Sequence, residues 1–315
     1  MYDFIGDIHG HADELRALLE KLGYRQTGGV YRHPARKVFF TGDFIDRGPK
    51  IRETLQIVKG MIDHEQALTV MGNHEFNAVC YNMSIEPDGF LRKHSEKNVK
   101  QHAETLRQFS SCQSEYEAYV RWFRTLPLFY EGEGFRVVHA CWDARHVKEI
   151  ARALPFYSGD SGLTDEFFTA ACAKGTEFYT VVQDTLKGKE VMLPEGIRFE
   201  DKDGHKRSEV RIRWWLDPLG KPWKEMSIHH DPALPDDHVE PGAIKSADHY
   251  AEHEIPVFFG HYWYTGCPQI LRNNVCCLDY SVAKQGKLVA YRFNGEKALT
   301  NDNFVHVDNN PAKLP

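Results

Sequence analysis

Three polar motifs near the start of the chain each follow a run of apolar residues that is typical of a β-strand: residues 6–9 (Gly-Asp-Ile-His), 42–48 (Gly-Asp-Phe-Ile-Asp-Arg-Gly) and 72–75 (Gly-Asn-His-Glu). Apolar residues at helical spacing over 12–22 and 51–62 separate the three strands. The opening of the chain therefore predicts strand–helix–strand–helix–strand, an α/β fold in which helices cover a sheet. Because ligands bind at the carboxyl ends of strands in such sheets, we expect the motifs to line one binding site.

The rest of the chain predicts further strands and one long interruption. Apolar runs predict strands at 135–140, 256–259, 275–280 and 288–293. Residues 99–126 have helical character, in two pieces broken near Ser110. Residues 143–254 are mixed and charged, and rich in Pro, Gly, Asp and His towards their end. We interpret 1–315 as one domain with an insertion or cap at about 143–254; the modest apolar content of this segment disfavours the alternative of a second domain.

Composition narrows the class of protein. The 315 residues are 42% hydrophobic and carry a net charge of −6, which disfavours a general nucleic-acid binder with its basic face. The seven cysteines lack the paired spacing of a zinc–thiolate site and are interpreted as free thiols. No apolar run is long enough to span a bilayer, and Asp7 stands too near the start for a signal peptide to precede it. We therefore expect a cytoplasmic enzyme.

Residue types that bind metal ions stand at the predicted strand ends. Asp7 and His9 are two residues apart, so their side chains point the same way from an extended strand. The two oxygens of Asp43 can bridge two ions, as a two-metal site requires. Taken singly, each of these residues is better explained as a turn or surface residue. The site is predicted because ligand-type residues occur together at five separate strand ends. The predicted ligands are Asp7, His9, Asp43, Asn73, His139 and His261.

The chemistry of these ligands indicates which ions to expect. Oxygen and nitrogen donors without a thiolate suit Mn, Fe or Zn better than Ca. We expect two divalent ions as cofactors, Mn first and Fe, Zn or Mg as alternatives. Such a pair supplies an activated water near neutral pH and neutralises phosphate oxygens.

Three neighbouring residues are candidates for the catalytic groups. Arg47 is predicted to bind phosphate, because a guanidinium group offers paired donors that match phosphate geometry; a surface salt bridge is the alternative. His74 is predicted to protonate the leaving oxygen, and Asp46 to pair with it and favour its charged form. For Glu75 we favour a carboxylate at a helix start over a group supporting the ligands.

At these residues the chain resembles the calcineurin-like metallophosphoesterases, specifically the phosphoprotein phosphatase branch. Its motifs correspond to residues 6–10, 42–48, 72–75, 138–140 and 260–261 here. The resemblance implies a four-layer α/β/β/α sandwich with a middle insertion. It also implies one ion on Asp7, His9 and Asp43, a second ion on Asp43, Asn73, His139 and His261, a phosphate on Arg47, and an acid formed by His74 and Asp46.

The chain departs from the family pattern at several places. Cys141 replaces the last glycine of the fourth motif, so we expect a different local turn, and Trp263 stands where the wider superfamily has a second histidine. Residues 277–290 are similar to bacterial diadenosine tetraphosphatases and to the phosphatase part of polynucleotide kinase-phosphatases. The second phosphate-binding arginine has no secure counterpart: Arg211 and Arg213 lie in the right region, and we assign Arg213.

These observations predict a metal-dependent phosphoesterase that hydrolyses a phosphomonoester, with a phosphoprotein as one such substrate. Hydrolysis of a dinucleoside polyphosphate is the alternative, and a non-catalytic metal-binding module on the same fold is the alternative of another class. The expected partner is a phosphorylated substrate (a phosphoprotein, a nucleotide or a small phosphoester). We expect no binding to a membrane and no stable binding of long nucleic acid.

Two groups of residues in the middle of the chain have ordinary explanations. Trp214, Trp215 and Trp223 are expected to pack in a core rather than to stack on a nucleobase. His229, His230 and His238 are expected to form a solvated loop rather than a third metal site.

Overall fold

The computed structural model describes residues 1–85, 87, 89–200, 206–218, 220–228, 234, 237–239 and 249–309. The α-helices of these residues are α1 (Ala12–Lys21), α2 (Ile51–Asp63), α3 (Asn73–Asn82), α4 (Glu96–Gln108), α5 (Gln113–Phe123), α6 (Ala144–Tyr157), α7 (Asp165–Cys172), α8 (Glu177–Lys187) and α9 (Trp223–Met226). Their strands are β1 (Tyr2–Ile5), β2 (Arg25–Thr27), β3 (Val30–Arg32), β4 (Lys37–Phe40), β5 (Ala67–Thr69), β6 (Phe129–Glu131), β7 (Arg136–Val138), β8 (Ser158–Gly159), β9 (Gly162–Leu163), β10 (Glu190–Met192), β11 (Phe199–Glu200), β12 (Lys206–Arg207), β13 (Glu209–Arg211), β14 (Val257–Phe259), β15 (Val275–Cys277), β16 (Asp279–Tyr280), β17 (Lys287–Phe293) and β18 (Phe304–Asp308).

Two mixed sheets form the centre of the molecule. The first has the order β16-β17-β1-β4-β5, with β18 beside β17, and β1, β4 and β5 run parallel. The second has the order β15-β14-β7-β6, with β14 parallel to both its neighbours. The parallel strands of each sheet thus bring their carboxyl ends to one edge.

Alternation along the strands explains how the sheets stack. Phe4 and Phe39 point to a core shared with Phe258 of the second sheet, whereas their neighbours Ile5 and Phe40 point to the helices. The rings of Phe4 and Phe258 stack with centroids 3.7 Å apart. Helices cover the other face of the first sheet, and Val147 of α6 packs in the core on the other face of the second sheet. The predicted α/β fold, a four-layer α/β/β/α sandwich, is confirmed.

The predicted elements agree with the structure, with two differences at the site. The third predicted strand ends at Thr69, and Asn73 begins helix α3 instead of closing the strand. The strand predicted at 275–280 is two strands, because the chain crosses from the second sheet to the first at Leu278. The break predicted near Ser110 is confirmed between α4 and α5.

The first part of the segment 143–254 packs against the rest of the chain. Apolar side chains of α6, α7 and α8, such as Ile150, Phe167 and Val182, belong to the same core as the helices over the first sheet. The carbonyl of Thr185 accepts hydrogen bonds from the backbone N–H groups of Ala140 (3.1 Å) and Cys141 (3.3 Å). Helix α8 therefore supports the loop after β7. Among the described residues, none of the helices has the length and apolar character that a bilayer crossing requires.

Candidate active site

The predicted ligands come together where the two sheets meet. Each is placed by the end of a strand or the start of a helix: Asp7 and His9 follow β1, Asp43 follows β4, Asn73 begins α3, His139 follows β7 and His261 follows β14. All lie below 10% exposure except His261, which is half-buried. Residues more than 250 positions apart in sequence therefore share one buried cluster.

Asp43 lies at the centre of this cluster. Its Oδ2 is 3.7 Å from Nε2 of His9, 3.4 Å from Nε2 of His139 and 3.9 Å from Nε2 of His74. The Oδ1 of Asp43 accepts a hydrogen bond of 2.9 Å from the backbone N–H of His74. One carboxylate thus faces two groups of metal-binding atoms, His9–Asp43–His74 and Asp43–His139–His261.

The histidine tautomers fit metal binding. Nδ1 of His9 donates to the carbonyl of Ile45 (2.9 Å), and Nδ1 of His139 donates to the carbonyl of Thr41 (2.7 Å). In the neutral form of each ring, Nε2 therefore carries its lone pair into the cluster. The Nε2 atoms of His9 and His261 are buried without a hydrogen-bond partner in the protein. Buried polar atoms of this kind need a partner, and a cation would be one.

The histidines of the cluster differ in their pKa values. Burial, with the neighbouring His74, lowers the pKa of His9 to about 3, and burial also lowers the pKa of His261. Burial alone would raise the pKa of Asp43, but His139 and His74 outweigh it and leave that pKa well below its usual value. Burial also acts on His139, but Asp43 and Asp7 outweigh it and raise the pKa of His139 to about 10. Without a metal ion His139 is therefore the cation that faces Asp43, and a divalent ion bound there would displace its proton.

Asp7 connects the first sheet to the loop after β14. Its Oδ2 accepts a hydrogen bond of 3.0 Å from the backbone N–H of His261. A Cβ atom on Gly260 would lie 1.8 Å from Oδ1 of Asp7, so only glycine lets the two approach. The position of His261 therefore depends on a carboxylate of the other sheet.

Backbone strain is concentrated at this site. Six non-glycine residues here have positive φ angles, a conformation that L-residues rarely adopt: His9 (46°), Asp43 (54°), Asp46 (67°), Arg47 (71°), His261 (72°) and Trp263 (53°). Such conformations persist only where the surrounding structure holds them, and they cluster at functional sites.

Glu75 has a larger role than the sequence indicated. Its carboxylate accepts the backbone N–H of Gly72 at the start of α3 (3.1 Å), in line with the favoured helix-start role. It also accepts the N–H groups of Asp43 (2.9 Å) and Phe44 (2.8 Å). Glu75 is fully buried, and burial and Asp43 raise its pKa to about 7. It therefore joins the turn that carries Asp43 to the helix that carries Asn73.

His74 and Asp46 form a close pair inside a longer network. Nδ1 of His74 lies 2.5 Å from Oδ2 of Asp46. The other oxygen of Asp46 accepts from Nδ1 of His102 (2.7 Å) and from the hydroxyl of Thr105 (2.6 Å), both on α4. Nε2 of His102 lies 2.6 Å from the hydroxyl of Tyr116. The sequence predicted the first pair and missed His102 and Thr105, since no short motif contains them.

Arg47 is exposed and stacks on an aromatic ring. Its guanidinium carbon lies 3.9 Å from the ring centroid of Trp263, and the Nζ of Lys284 lies 3.8 Å from the same centroid. The backbone N–H of Trp263 donates to the buried carboxylate of Asp279 (2.8 Å). Trp263 therefore restricts the orientation of Arg47, and Asp279 fixes the turn of Trp263.

The two arginines considered for a second phosphate contact lie in different surroundings. Arg211 donates to Oε1 of Glu190 (2.8 Å), and its charge adds to burial in lowering the pKa of His261. The charge of Arg213 instead acts on the pKa of Tyr264. Of the two, Arg211 is therefore the one whose charge acts on a predicted ligand, which favours it over the assigned Arg213.

The three tryptophans lie in apolar cores. Trp214 and Trp215 are 2% exposed and pack against Phe259, and Trp223 is 1% exposed in another core, so their interpretation as core residues is confirmed. His229 and His230 lie outside the described residues.

Comparison with known proteins agrees with this geometry. Residues 2–262 match the family model described as calcineurin-like phosphoesterase. The chain is 46% identical over 74 residues to the asymmetrical bis(5'-nucleosyl)-tetraphosphatase PrpE of Halalkalibacterium halodurans, and 48% identical over 73 residues to that of Geobacillus thermodenitrificans. Each match covers 23% of this chain and 30% of the relative's length. A protein serine/threonine phosphatase from Saccharomyces cerevisiae shares the fold, with a TM-score of 0.50 and 14% identity over 100% of this chain and 81% of that chain.

Proposed function

The chain belongs to the calcineurin-like phosphoesterase family, whose members use a centre of two divalent metal ions, and on that premise we propose that it hydrolyses a phosphomonoester at the cluster around Asp43. The observation that carries this proposal is the pair of buried Nε2 atoms of His9 and His261, neither of which has a hydrogen-bond partner in the protein. The two atoms belong to different groups of metal-binding residues, and Asp43 is a member of both groups. A phosphoprotein is one such substrate.

In this proposal the ligands divide into two sets that share Asp43. Asp7, His9 and Asp43 hold one ion, and Asp43, Asn73, His139 and His261 hold the other. We propose Mn as the first choice, since the donors are oxygen and nitrogen atoms only. When bound, such ions supply a water of lowered pKa and neutralise charge on the phosphate.

The chain's own groups then bind phosphate and move a proton. Arg47 is exposed at the rim of the cluster and offers paired donors to phosphate oxygens. His74 donates a proton to the leaving oxygen. Asp46 holds its Nδ1, which leaves Nε2 on the side of Asp43. Burial lowers the pKa of His74, but Asp43 and Asp46 outweigh it and raise that pKa, which favours the proton-donating form.

Hydrolysis of a dinucleoside polyphosphate is the second candidate. It is favoured by the names of the relatives, which are asymmetrical bis(5'-nucleosyl)-tetraphosphatases. Their similarity covers 30% of their length, so it bears on the shared motifs and leaves the substrate to experiment.

Parallel assays on three substrates test these proposals. Mn-loaded protein is incubated with p-nitrophenyl phosphate, a phosphopeptide and diadenosine tetraphosphate. Asp43→Asn is the inactive control and Asp63→Asn, at an exposed helix end, is the matched control. Turnover of the monoesters supports the first candidate, and turnover of the dinucleotide alone replaces it with the second. Full metal loading without turnover of any substrate would contradict both and leave a metal-binding module.

A further inference from the structure

Two cysteine thiols touch each other away from the metal cluster. The Sγ atoms of Cys80, near the end of α3, and Cys172, the last residue of α7, lie 3.7 Å apart. Both cysteines are free, and they are 92 positions apart in sequence, so the fold brings them together. A disulfide bond would require the two sulfur atoms to approach by about 1.7 Å more. Cys172 ends its helix and is half-buried, so its side chain has room for this movement.

The other cysteines offer no comparable pair. Cys276 and Cys277 are adjacent in β15, but their side chains belong to different cores on opposite faces of the strand. Cys267 is exposed. Among the described residues, Cys80 and Cys172 are the only two cysteines whose Sγ atoms are in hydrogen-bonding contact. A reaction that joins two thiols of this chain is therefore expected at these two residues first.

Both thiols line a cavity that reaches the surface. Its volume is about 440 Å³, and the exposed side chains of Lys93 and Lys174 line it as well. A small solute can therefore reach the sulfur atom of Cys172 while the chain remains folded. Reactive cysteines require such access together with positively charged surroundings.

Two inner cations of the same cavity have neutral hydrogen-bond partners. Arg92 donates to Oδ1 of Asn77 (3.0 Å) and to Oε1 of Gln101 (2.8 Å). Nζ of Lys187 donates to Oε1 of Gln183 (2.5 Å). No carboxylate among the described residues lines the cavity. The two thiols are therefore the groups of the cavity wall that can supply a negative charge beside these cations.

The two thiols differ in how readily they ionise. The hydrogen bond from Cys80 lowers the pKa of Cys172 in spite of burial, and the charges of Lys187 and Arg92 lower it further. Burial and the contact with Cys172 raise the pKa of Cys80. The thiolate is therefore favoured at Cys172 and the protonated thiol at Cys80. This is the division of roles that an attacking sulfur and its resolving partner need.

We propose that Cys80 and Cys172 form a reversible oxidation site, at which a hydroperoxide converts the two thiols into a disulfide. Cys172 attacks the peroxide, and Cys80 resolves the product. The inference goes beyond the proposed function, because none of the predicted metal ligands lines this cavity. The disulfide would join α3, whose first turn carries Asn73 and His74, to α7 in the segment 143–254.

The oxidation takes place in two steps. The thiolate of Cys172 attacks one oxygen of hydrogen peroxide, so that an S–O bond forms, the O–O bond breaks and hydroxide leaves to take a proton from solvent. Cys172 is then a sulfenic acid. The sulfur of Cys80 attacks Sγ of Cys172 as its own proton passes to the departing hydroxyl group, so that the S–S bond forms, the S–O bond breaks and water leaves. Two electrons pass from the thiols to the peroxide, and a dithiol reductant returns them.

Peptide mapping tests the proposal. The full chain, supplied with Mn²⁺, is treated with hydrogen peroxide near neutral pH, its remaining thiols are blocked with N-ethylmaleimide, and the digest is analysed by mass spectrometry without reduction. We expect a linked pair of peptides containing Cys80 and Cys172 that disappears with dithiothreitol. The exposed Cys267 should be oxidised at least severalfold more slowly than Cys172. Oxidation of Cys172 no faster than that of Cys267, or the absence of the linked pair, would overturn the proposal.

Single serine variants identify the role of each thiol. In Cys80→Ser the sulfenic acid on Cys172 has no resolving partner, so dimedone should label Cys172. In Cys172→Ser we expect Cys80 to stay reduced, and Cys267→Ser is the matched control that should form the linked pair as the wild type does. Dimedone labelling of Cys80 in Cys172→Ser would contradict the assigned roles. Cys172 is half-buried, so its variant remains informative if Cys80→Ser does not fold.

A charge-removing variant tests the contribution of the cations. Lys187→Met should slow the oxidation of Cys172 at least severalfold, because it removes a charge that favours the thiolate. Lys100→Met, on the exposed side of α4, removes the same charge outside the cavity and should leave the rate unchanged. Equal rates in the two variants would contradict activation by the cavity cations. These readouts are peptide masses, so they decide the proposal whether or not the protein cleaves a phosphoester.

Discussion

At the residue scale, the clearest arrangement is the network around Asp46. This buried carboxylate accepts hydrogen bonds from His74, His102 and Thr105. Burial would raise its pKa, but the hydrogen bonds from His102 and His74 outweigh burial and lower the pKa below its usual value. Asp46 therefore stays ionised and can hold the Nδ1–H of His74. His102, on the far side, fixes the direction of the carboxylate.

The variant His102→Gln tests this network. Without the Nδ1 donor of His102, the orientation of the Asp46 carboxylate should be less well fixed, and we expect kcat to fall about tenfold. Losses of this size are typical when a hydrogen bond that supports a metal site is removed. Removing the proposed acid in His74→Asn should cost about 10²–10⁴-fold. Steady-state kinetics with p-nitrophenyl phosphate measures both, with the exposed His64→Gln as control. An unchanged kcat in His102→Gln, at equal metal content, would show that His102 does not support the acid pair.

Motifs within a few residues were predictable, and contacts across the fold were not. The pairing of Asp46 with His74 was expected from two adjoining strand ends. His102 and Thr105 lie more than 50 residues from Asp46 in sequence, in a helix with no unusual pattern. Their role follows only from how α4 packs beside the loop of Asp46. For the same reason the sequence did not indicate the stacking of Arg47 on Trp263.

At the scale of elements, the site depends on how α3 is joined to the turn after β4. Glu75 makes this connection through three backbone N–H groups. A Cβ atom on Gly42, which has a φ of 96°, would lie 2.5 Å from the nitrogen of Gly72. The two turns therefore pack backbone to backbone. The sequence placed Asn73 at a strand end because the apolar run continues through Val70 and Met71, beyond the last strand residue Thr69.

The variant Glu75→Gln tests this connection. The amide replaces one acceptor oxygen with a donor that faces backbone N–H groups, which should cost about 1–3 kcal/mol of unfolding free energy. Urea unfolding of metal-chelated protein measures the change, and Glu96→Gln, on the exposed first turn of α4, is the matched control. If Glu75→Gln is no less stable than Glu96→Gln, Glu75 does not hold the two turns together.

The contact between the two sheets gives a second prediction at this scale. Phe4 is fully buried and its ring stacks on Phe258. Phe4→Ala should lower the unfolding free energy by about 3–5 kcal/mol, because it leaves a cavity between the sheets. Phe156→Ala should change it by less than about 0.5 kcal/mol, since Phe156 is 85% exposed. Thermal or urea unfolding measures both, and similar losses in the two variants would contradict the stacked-sheet description.

Apolar runs predicted the strands but not their division into two sheets. Phe4 and Ile5 are both apolar, as are Phe39 and Phe40, so the sequence did not indicate which of them faces the second sheet and which faces the helices. The crossing at Leu278 was not predictable either, because residues 275–280 are one apolar run. The backbone N–H of Leu278 donates to the carbonyl of Phe259 (2.8 Å), and Gly6 leaves room for the carbonyl of Leu278. Both are contacts between distant parts of the chain.

At the scale of the whole molecule, the candidate site joins both sheets. Asp7, His9 and Asp43 come from the first sheet, whereas His139 and His261 come from the second. Ions bound among these residues would hold the sheets together. One domain over 1–315 with an insertion at 143–254 stays a prediction, and the packing of Ile150, Phe167 and Val182 on the main core supports it for the first part of that segment.

Removing metal ions should therefore lower the stability of the whole fold. At a free ion concentration 100 times the dissociation constant, one bound ion stabilises the native state by about 2.7 kcal/mol. We expect Tm to fall on chelation with EDTA and to return on adding Mn²⁺. Differential scanning calorimetry measures Tm before and after each addition. The control is Asp43→Asn, whose Tm should change much less on chelation. An EDTA-independent Tm in the wild type would contradict coupling between the site and the fold.

The measurement that tests the central claim most directly is the number of Mn²⁺ ions bound per chain, by isothermal titration calorimetry of chelator-treated protein. The proposed ligand sets predict two ions per chain in the wild type and the loss of high-affinity binding in Asp43→Asn, because Asp43 belongs to both sets. Binding of no ion by the wild type, or equal stoichiometry and affinity in Asp43→Asn, would contradict a two-metal centre bridged by Asp43.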